Sequence, residues 1–312
     1  MDAILIHMFV GGFALSADIA PLAETAKVAG KPIFCWLMGD HDEAREFLAH
    51  AHNIGVPVFG ELHRAVECMA AVFNYKNHIE LREPFVPSKA DAAPADLPHG
   101  KQGSLDEHLS KNILKSFGIP VVDEKIVSSG KEAGEAASDF GFPVVMKGLA
   151  PGIVHKSDLG LVLLKIKSAE EAGLCFESLN KTMSGKGKVL IQKQVHGEPE
   201  LIVGLIKDPQ FGPCVMCGLG GILAEVVEDV LFAVAPLNRS EALGLISRLK
   251  AQKLLNGFRG SLPTDREALA QILINIGELG LAHPRIREID INPLIIAEGK
   301  PVAVDASVIL DD

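Results

Sequence analysis

The chain has 312 residues, 48% of them hydrophobic, with 30 Lys and Arg against 40 Asp and Glu for a net charge of −10. That is enough for two or three domains at about 100–150 residues each, and an acidic balance without a basic stripe argues against a nucleic-acid binder. No uninterrupted apolar stretch reaches the ~18 residues of a membrane span, the start MDAILIHMFVGG lacks the basic region and cleavage site of a secretory signal, and five scattered cysteines imply reduced thiols in the cytoplasm.

Residues 1–81 read as three strand–helix units. AILIHMFV, KPIFCWLM and VPVF are the strands, and 17–29, 41–53 and 61–78 the helices. Apolar strands joined by amphipathic helices predict a parallel sheet covered on both faces. Three strands make a small sheet, so this α/β unit is expected to be half of a larger doubly wound domain. Residues 82–103 carry prolines and alanines without apolar periodicity and read as a linker.

Ser104-Leu-Asp-Glu107 has the spacing of a capping box opening a helix up to Phe117. From 104 to 312 strands and helices alternate in an α+β pattern. VVMKG, LVLLKI, KVLIQKQV, ELIVGLI, CVMCG, EIDINPLII and PVAVDA are predicted strands; 131–140, 168–181, 239–251 and 265–280 are predicted helices. The last two strands form a hairpin turning at Glu298-Gly299. A short pattern recurs at NIGVPV (53–58), FGIPVV (117–122) and FGFPVV (140–145). In each, glycine suits the left-handed position after a helix, proline blocks continuation, and the β-branched run enters a strand.

Several stretches bear on chemistry. No Walker-type phosphate loop is present. Cys214 and Cys217 form a C-x-x-C inside an apolar run with no second ligand pair, which reads as a plain strand. CGLGGILAE (217–225) is either a tight turn or a place where backbone N–H groups approach an anion. Lys147 ends an apolar strand, where its ammonium must reach solvent or meet an anion. Glu288, Asp290 and Asn292 alternate onto one strand face, with Asp305 following on the next strand; carboxylate and amide oxygens of this kind suit Mg²⁺, although a solvated face has the same pattern. His155, between Val154 and Lys156 in a Gly/Pro-rich loop, is a nucleophile, a general base or a surface group.

FGIPVV, FGFPVVMK, GIVHKSDLG, VLIQKQVHGEPELIVGLIKDPQFGP, GLGG, AEVVEDVLFAVAPL, LLNGFRG and EIDINPL followed by VDA occur in one order over some 200 residues. Together they resemble the ATP-grasp domain of the NDP-forming acyl-CoA synthetases, the group that includes ADP-forming acetate–CoA ligases and is related to succinyl-CoA synthetase. Residues 1–81 are similar to the end of the CoA-ligase domain of fused members. The resemblance implies a partial flavodoxin-like parallel sheet followed by a two-lobed ATP-grasp domain at 104–312. It implies that Lys147 holds nucleotide phosphates, that Gln192 to Val195 run along the adenine with Glu200 nearby, and that Gly220 and Gly221 approach the nucleotide. Asn292 and Asp305 would bind Mg²⁺; Glu225, Asp229 and Arg259 would line the phosphate side; His155 would accept a phosphoryl group.

The implied cofactors are ATP or ADP and Mg²⁺, with CoA in the complete enzyme. The implied partners are an acyl phosphate and a CoA-binding subunit or domain, in an oligomer. The family reads HKSD-x-GG, whereas here Gly160 is followed by Leu161. The family's CoA-binding domain and first phosphohistidine segment would lie before residue 1, so thioester formation is expected to need that missing part. Two other readings are a carboxylate–amine ligase of ATP-grasp type, and a nucleotide-binding regulatory subunit without turnover.

Overall fold

The computed structural model of the chain describes residues 3–9, 18–39, 42–80, 97–98, 102–150, 156, 159–221, 228–257 and 260–311. The chain divides into two units, Met1–Glu83 and Pro84–Asp312.

The first unit alternates strand and helix: β1 (Ile4–Phe9), α1 (Ala20–Ala29), β2 (Ile33–Met38), α2 (Asp42–Asn53), β3 (Val58–Phe59) and α3 (Leu62–Glu80). The strands are parallel in the order β1-β2-β3, with Ile4 opposite Ile33 and Cys35 opposite Val58. Ile33, Cys35 and Leu37 point from one face of β2 into a core closed by Ala26, Ala44 and Ala51. Gly30 ends α1 in the left-handed region at φ 62°, as a residue without Cβ does at low cost. The predicted parallel sheet is therefore present, and β1 forms one of its edges.

The second unit opens with β4 (Gly103–Ser104) and α4 (Glu107–Ser116). The expected cap at Ser104 is displaced by two residues. Asp106 is the N-cap, its carboxylate accepting from the Leu109 N–H at 2.9 Å. Ser104 is instead in β4, opposite Ile309. Most of the predicted linker lies outside the described residues; its end, Gly103, is in that strand.

A four-stranded antiparallel sheet follows, built from β5 (Glu124–Val127), β6 (Val144–Leu149), β7 (Val162–Ile166) and β8 (Lys188–Lys193) in the order β5-β8-β6-β7. α5 (Gly130–Phe140) and α6 (Ala169–Thr182) supply the core of this lobe, where Ala133, Ala137, Phe176 and Leu179 meet Val144, Met146 and Ile191. Both helices begin at a serine, Ser129 and Ser168, whose hydroxyl accepts from the backbone N–H three residues on, satisfying one of the free donors of the first turn.

The larger lobe is a seven-stranded sheet of β4 with β9 (Glu200–Asp208), β10 (Gly212–Leu219), β11 (Val230–Val234), β12 (Ile286–Ala297), β13 (Lys300–Ala303) and β14 (Ala306–Leu310). Its order is β11-β10-β9-β12-β14-β4, with β13 paired to β12. Alternate residues Leu201, Val203 and Leu205 of β9, Val215, Cys217 and Leu219 of β10, and Ile289 and Ile291 of β12 face one core. α7 (Arg239–Arg248), α8 (Gln252–Leu255) and α9 (Arg266–Ala282) cover it through Leu245, Leu255, Leu273 and Ile276. The predicted helix 239–251 is broken because Leu249 leaves the helical region at ψ 139°. β12 and β13 form the expected hairpin, with Glu298 and Gly299 at φ 51° and 79°, the positive pair of a tight two-residue turn.

Gly55, Gly118 and Gly141 all have positive φ, at 74°, 72° and 77°, so the recurrent Gly-x-Pro pattern does mark three helix-to-strand passages. All five cysteines are free. Cys214 and Cys217, three apart on β10, point to opposite faces, which rules out joint ligation or a disulfide. Burial, with Asp229 adding to it, pushes the Cys217 thiol up to about 12.

Candidate functional site

The chemistry gathers where α4, the end of β6 and the corner between β13 and β14 meet. α4 turns an unusual face inward. Glu107, Ser110, Lys111 and Leu114 are buried along one stripe, the i, i+3, i+4, i+7 phase that normally carries apolar residues. Glu107 is 3% exposed and Lys111 fully buried. Charges so placed must be paired, and they are. The Glu107 carboxylate accepts from Lys111 at 2.7 Å and from Lys147 at 2.6 Å through Oε1, and from Lys156 through Oε2. Burial alone would raise the Glu107 carboxyl; the ammonium groups of Lys147, Lys111 and Lys156 outweigh it and hold the group at about 2.

The network continues on both sides. Lys111 also donates to Glu124 at 2.7 Å and to the Gln192 Oε1 at 2.7 Å. Glu124 contacts the His108 Nδ1 at 2.8 Å. Lys147 donates to the Val304 carbonyl at 3.2 Å and to Asp305 Oδ2 at 3.1 Å, and Lys156 reaches both Asp305 oxygens at 3.1 Å. Burial works against the charge on Lys156, but the carboxylates of Glu107 and Asp305 leave its ammonium more strongly held than usual. Lys147 and Lys156 each bridge the same two carboxylates, so the arrangement concentrates positive charge between the lobes and neutralises it internally.

Lys147 was expected at a strand end with two possible fates. It lies inside β6, every residue of which is buried, so its ammonium does not reach solvent and is met by anions. Asn292 and Asp305 are joined by the Asn292 N–H to Asp305 carbonyl bond of 3.2 Å. The β9 pairing of β12 shifts between Ile291 and Leu294, which frees Asn292 from the ladder. Glu288 and Asp290 alternate with the core-facing Ile289 and Ile291 as expected. Burial, then Glu288 and Asp305, raise the Asp290 carboxyl. Three acidic groups are therefore crowded beside Asn292.

Among the described residues no group of three His, Cys, Asp or Glu side chains is disposed to hold a metal ion. The Asp305 side chain is 27% exposed and Asn292 is exposed.

Glu200, Gly220 and Gly221 come together. The Gly220 N–H donates to the Glu200 carbonyl at 2.8 Å. Gly221 has φ 67°, a conformation that favours glycine, and a Cβ there would meet only the movable end of the Glu200 side chain, at 2.9 Å from Oε2. Val195 is half-buried in the segment joining β8 to β9.

Two of the expected site residues have side chains already engaged. The Gln192 side chain is almost fully buried, and both ends of its amide are engaged, by Lys111 and by the Val304 carbonyl at 3.4 Å. It links the two lobes. Asp229 is 2% exposed, and its two oxygens accept from the N–H groups of Lys250 and Ala251 at 2.8 Å each. It clamps the break between α7 and α8, with both oxygens engaged by backbone donors. His155, Glu225 and Arg259 lie outside the described residues. Sequence reasoning missed Glu107, Lys111, Glu124 and Lys156; the available signal was a charged i, i+4 pair in phase with Leu114.

A model of the family described as ATP-grasp domain matches residues 97–310. The chain is 45% identical over 212 residues to the beta subunit of ADP-forming acetate–CoA ligase I of Pyrococcus furiosus, a match covering 66% of this chain and 91% of that one. It is 34% identical over 315 residues to ADP-forming acetate–CoA ligase I of Archaeoglobus fulgidus, covering 95% of this chain but 45% of the relative. The chain thus spans nearly all of the Pyrococcus beta subunit and less than half of the Archaeoglobus relative. Among solved structures, the dinucleotide-forming acetyl-coenzyme A synthetase 1 of Ca. Korarchaeum cryptofilum, in complex with coenzyme A and Ca-AMPCP, matches at 40% identity and a TM-score of 0.64, over 68% of this chain and 95% of that one. A second structure of that enzyme holds coenzyme A and Mg-AMPPCP, with its phosphohistidine segment pointing towards the nucleotide binding site; it matches at 42% identity and a TM-score of 0.59, over 67% of this chain and 93% of that one.

Proposed function

The chain belongs to the ATP-grasp family, and from that premise we propose that it is the nucleotide-handling part of an ADP-forming acyl-CoA synthetase. In the complete enzyme an acid, CoA and ATP give acyl-CoA, ADP and phosphate. The observation that carries the reading is the convergence of Lys147 and Lys156 on Asp305, beside Asn292.

Phosphoryl transfer asks little covalent chemistry of a protein and much positioning and charge neutralisation. Lys147 and Lys156 hold the phosphate oxygens, and Gly220 and Gly221 allow close approach of the chain. Asn292 and Asp305 would hold Mg²⁺, which supplies further neutralisation of charge on the transferred group. A histidine nitrogen attacks the γ-phosphorus, the bond to the β–γ bridging oxygen breaks, and ADP leaves. A carboxylate oxygen of the acid then takes the phosphoryl group from histidine, giving an acyl phosphate. The CoA thiol attacks the acyl carbon, loses its proton and expels phosphate. We assign the histidine on this chain to His155, the sequence neighbour of Lys156. One awkward transfer is thereby divided into two shorter ones. Glu225 and Arg259 are assigned to the phosphate side on the same resemblance.

The CoA-binding part is placed on a partner polypeptide or on another segment of a longer chain, within an oligomer. Five free thiols suit the reducing cytoplasm, and no described helix is long and apolar enough to cross a membrane. The test is covalent labelling. With Mg²⁺ and ATP carrying a radioactive γ-phosphate, the wild-type chain should acquire acid-labile, base-stable label that His155→Ala lacks. Equal labelling of the two proteins would remove His155 from the mechanism.

A further inference from the structure

Lys147 and Lys156 each touch Glu107 and Asp305, yet the two carboxylates are not equivalent. The Glu107 side chain is 1% exposed and that of Asp305 27%. Glu107 is further fixed by Lys111, itself 1% exposed at its side chain and tied to Glu124 and Gln192. Asp305 accepts only the two bridging lysines through its side chain among the described contacts.

Donor counting sharpens the asymmetry. An ammonium has three N–H groups, and those of Lys147 go to Glu107, Val304 and Asp305. A lysine that is to hold a phosphate must release one of them. The less buried partner, Asp305, is the one that leaves at least cost, because leaving Glu107 would strand a buried carboxylate.

We propose that Glu107 is the positioning residue of the phosphate site: it anchors Lys147 and Lys156 from behind while Asp305 is exchanged for phosphate oxygens in front. Glu107 touches neither nucleotide nor reacting atoms. It acts by fixing where two ammonium groups stand and by leaving each a donor aimed at the opening that Asp305 vacates. The inference rests on the nucleotide-binding reading above and adds a residue to it. The lowered pKa of the Glu107 carboxyl, held down against burial by three lysines, agrees with a counter-charge that stays ionised throughout.

The experiment has to separate aim from net charge, since neutralising Glu107 alone would make the site more positive and attract phosphate. Two variants of the full chain keep the charge. Glu107→Asp shortens the carboxylate so that it no longer spans both lysines. Glu107→Gln combined with Lys111→Met removes one charge of each sign and serves if the first repacks. Binding of MgADP and of adenosine is measured by calorimetry, with thermal melting to confirm folding. Expected is a loss of at least tenfold in MgADP affinity with adenosine affinity held within about twofold, the size of one charge-assisted contact. MgADP binding equal to wild type overturns the inference, as does an equal weakening of both ligands, which would mark a general structural role. Wild-type protein that binds neither ligand would overturn the nucleotide reading itself, a different result from variants that match a binding wild type.

Discussion

Replacing Lys147 by methionine isolates what its ammonium does, because the apolar stem within buried β6 is kept. In the free protein the change removes contacts of 2.6 Å to Glu107, 3.1 Å to Asp305 and 3.2 Å to the Val304 carbonyl. Orphaning a buried charge would cost about 3–5 kcal/mol. Glu107 is not orphaned, since Lys111 and Lys156 still reach it. The expected loss is therefore nearer the ~1.5–3 kcal/mol of hydrogen bonds to a charged group. If the same ammonium holds a phosphate, MgADP binding should weaken by a similar amount, roughly 10- to 150-fold at about 1.4 kcal/mol per factor of ten. Adenosine, lacking phosphates, should bind as before. Calorimetric titration of both ligands into Lys147→Met, at a temperature where melting shows it folded, reads this directly. MgADP affinity within twofold of wild type would refute the assignment, because no other role of Lys147 predicts a phosphate-specific loss.

Three further outcomes are expected. In Asp305→Asn, the strengthening of ADP binding by Mg²⁺ should shrink by roughly tenfold or more; titrating ADP with and without Mg²⁺ checks it, and an unchanged Mg²⁺ effect counts against Asp305 as a metal ligand. The Glu107 carboxyl lies at about 2 in the folded chain against an ordinary 4.5, so its contribution is full above pH 4.5 and lost as pH falls towards 2; wild type should lose on the order of 3 kcal/mol more than Glu107→Gln over that window in urea unfolding, and parallel curves would contradict it. Asp229→Ala should lower stability by about 2–3 kcal/mol by stranding two backbone donors, while MgADP affinity of the folded protein stays within twofold; a selective loss of MgADP binding would return Asp229 to the phosphate site.

The fold was readable wherever local chemistry and global packing agree. Gly30, Gly118 and Gly299 stand at positive φ where a helix or strand must end, and alternation such as Ile289-Asp290-Ile291 sorts one face into the core and the other towards the site. Lys147 was readable because a single ammonium inside Val144–Leu149 conflicts with its surroundings. Glu107 and Lys111 were not. Their burial depends on partners from β5, β6 and β8, distant in the chain, and a charged i, i+4 pair has the same spacing as a solvated one. The contacts of Asp229 were not readable either. Only the resemblance spoke to its role, and its partners are the N–H groups of residues 250 and 251, more than twenty positions later. The early cap at Ser104 failed because the pairing of Gly103 and Ser104 with β14 takes that backbone out of the helix.

The corner formed by Val304 and Asp305 joins two strands, a place where chains commonly gain or lose residues. Here the Val304 carbonyl accepts from Lys147 and Gln192, its N–H donates to the Pro293 carbonyl at 3.1 Å, and the Asp305 carbonyl meets the Asn292 N–H. One inserted residue would put all of these out of step at once. The tip at Ser184–Gly187, by contrast, is exposed throughout and its N–H groups bond only to residues 180–183 of the same turn, and exposed tips of this kind tolerate additions. Relatives of this chain should therefore differ in length at that tip while keeping the spacing between β13 and β14 invariant.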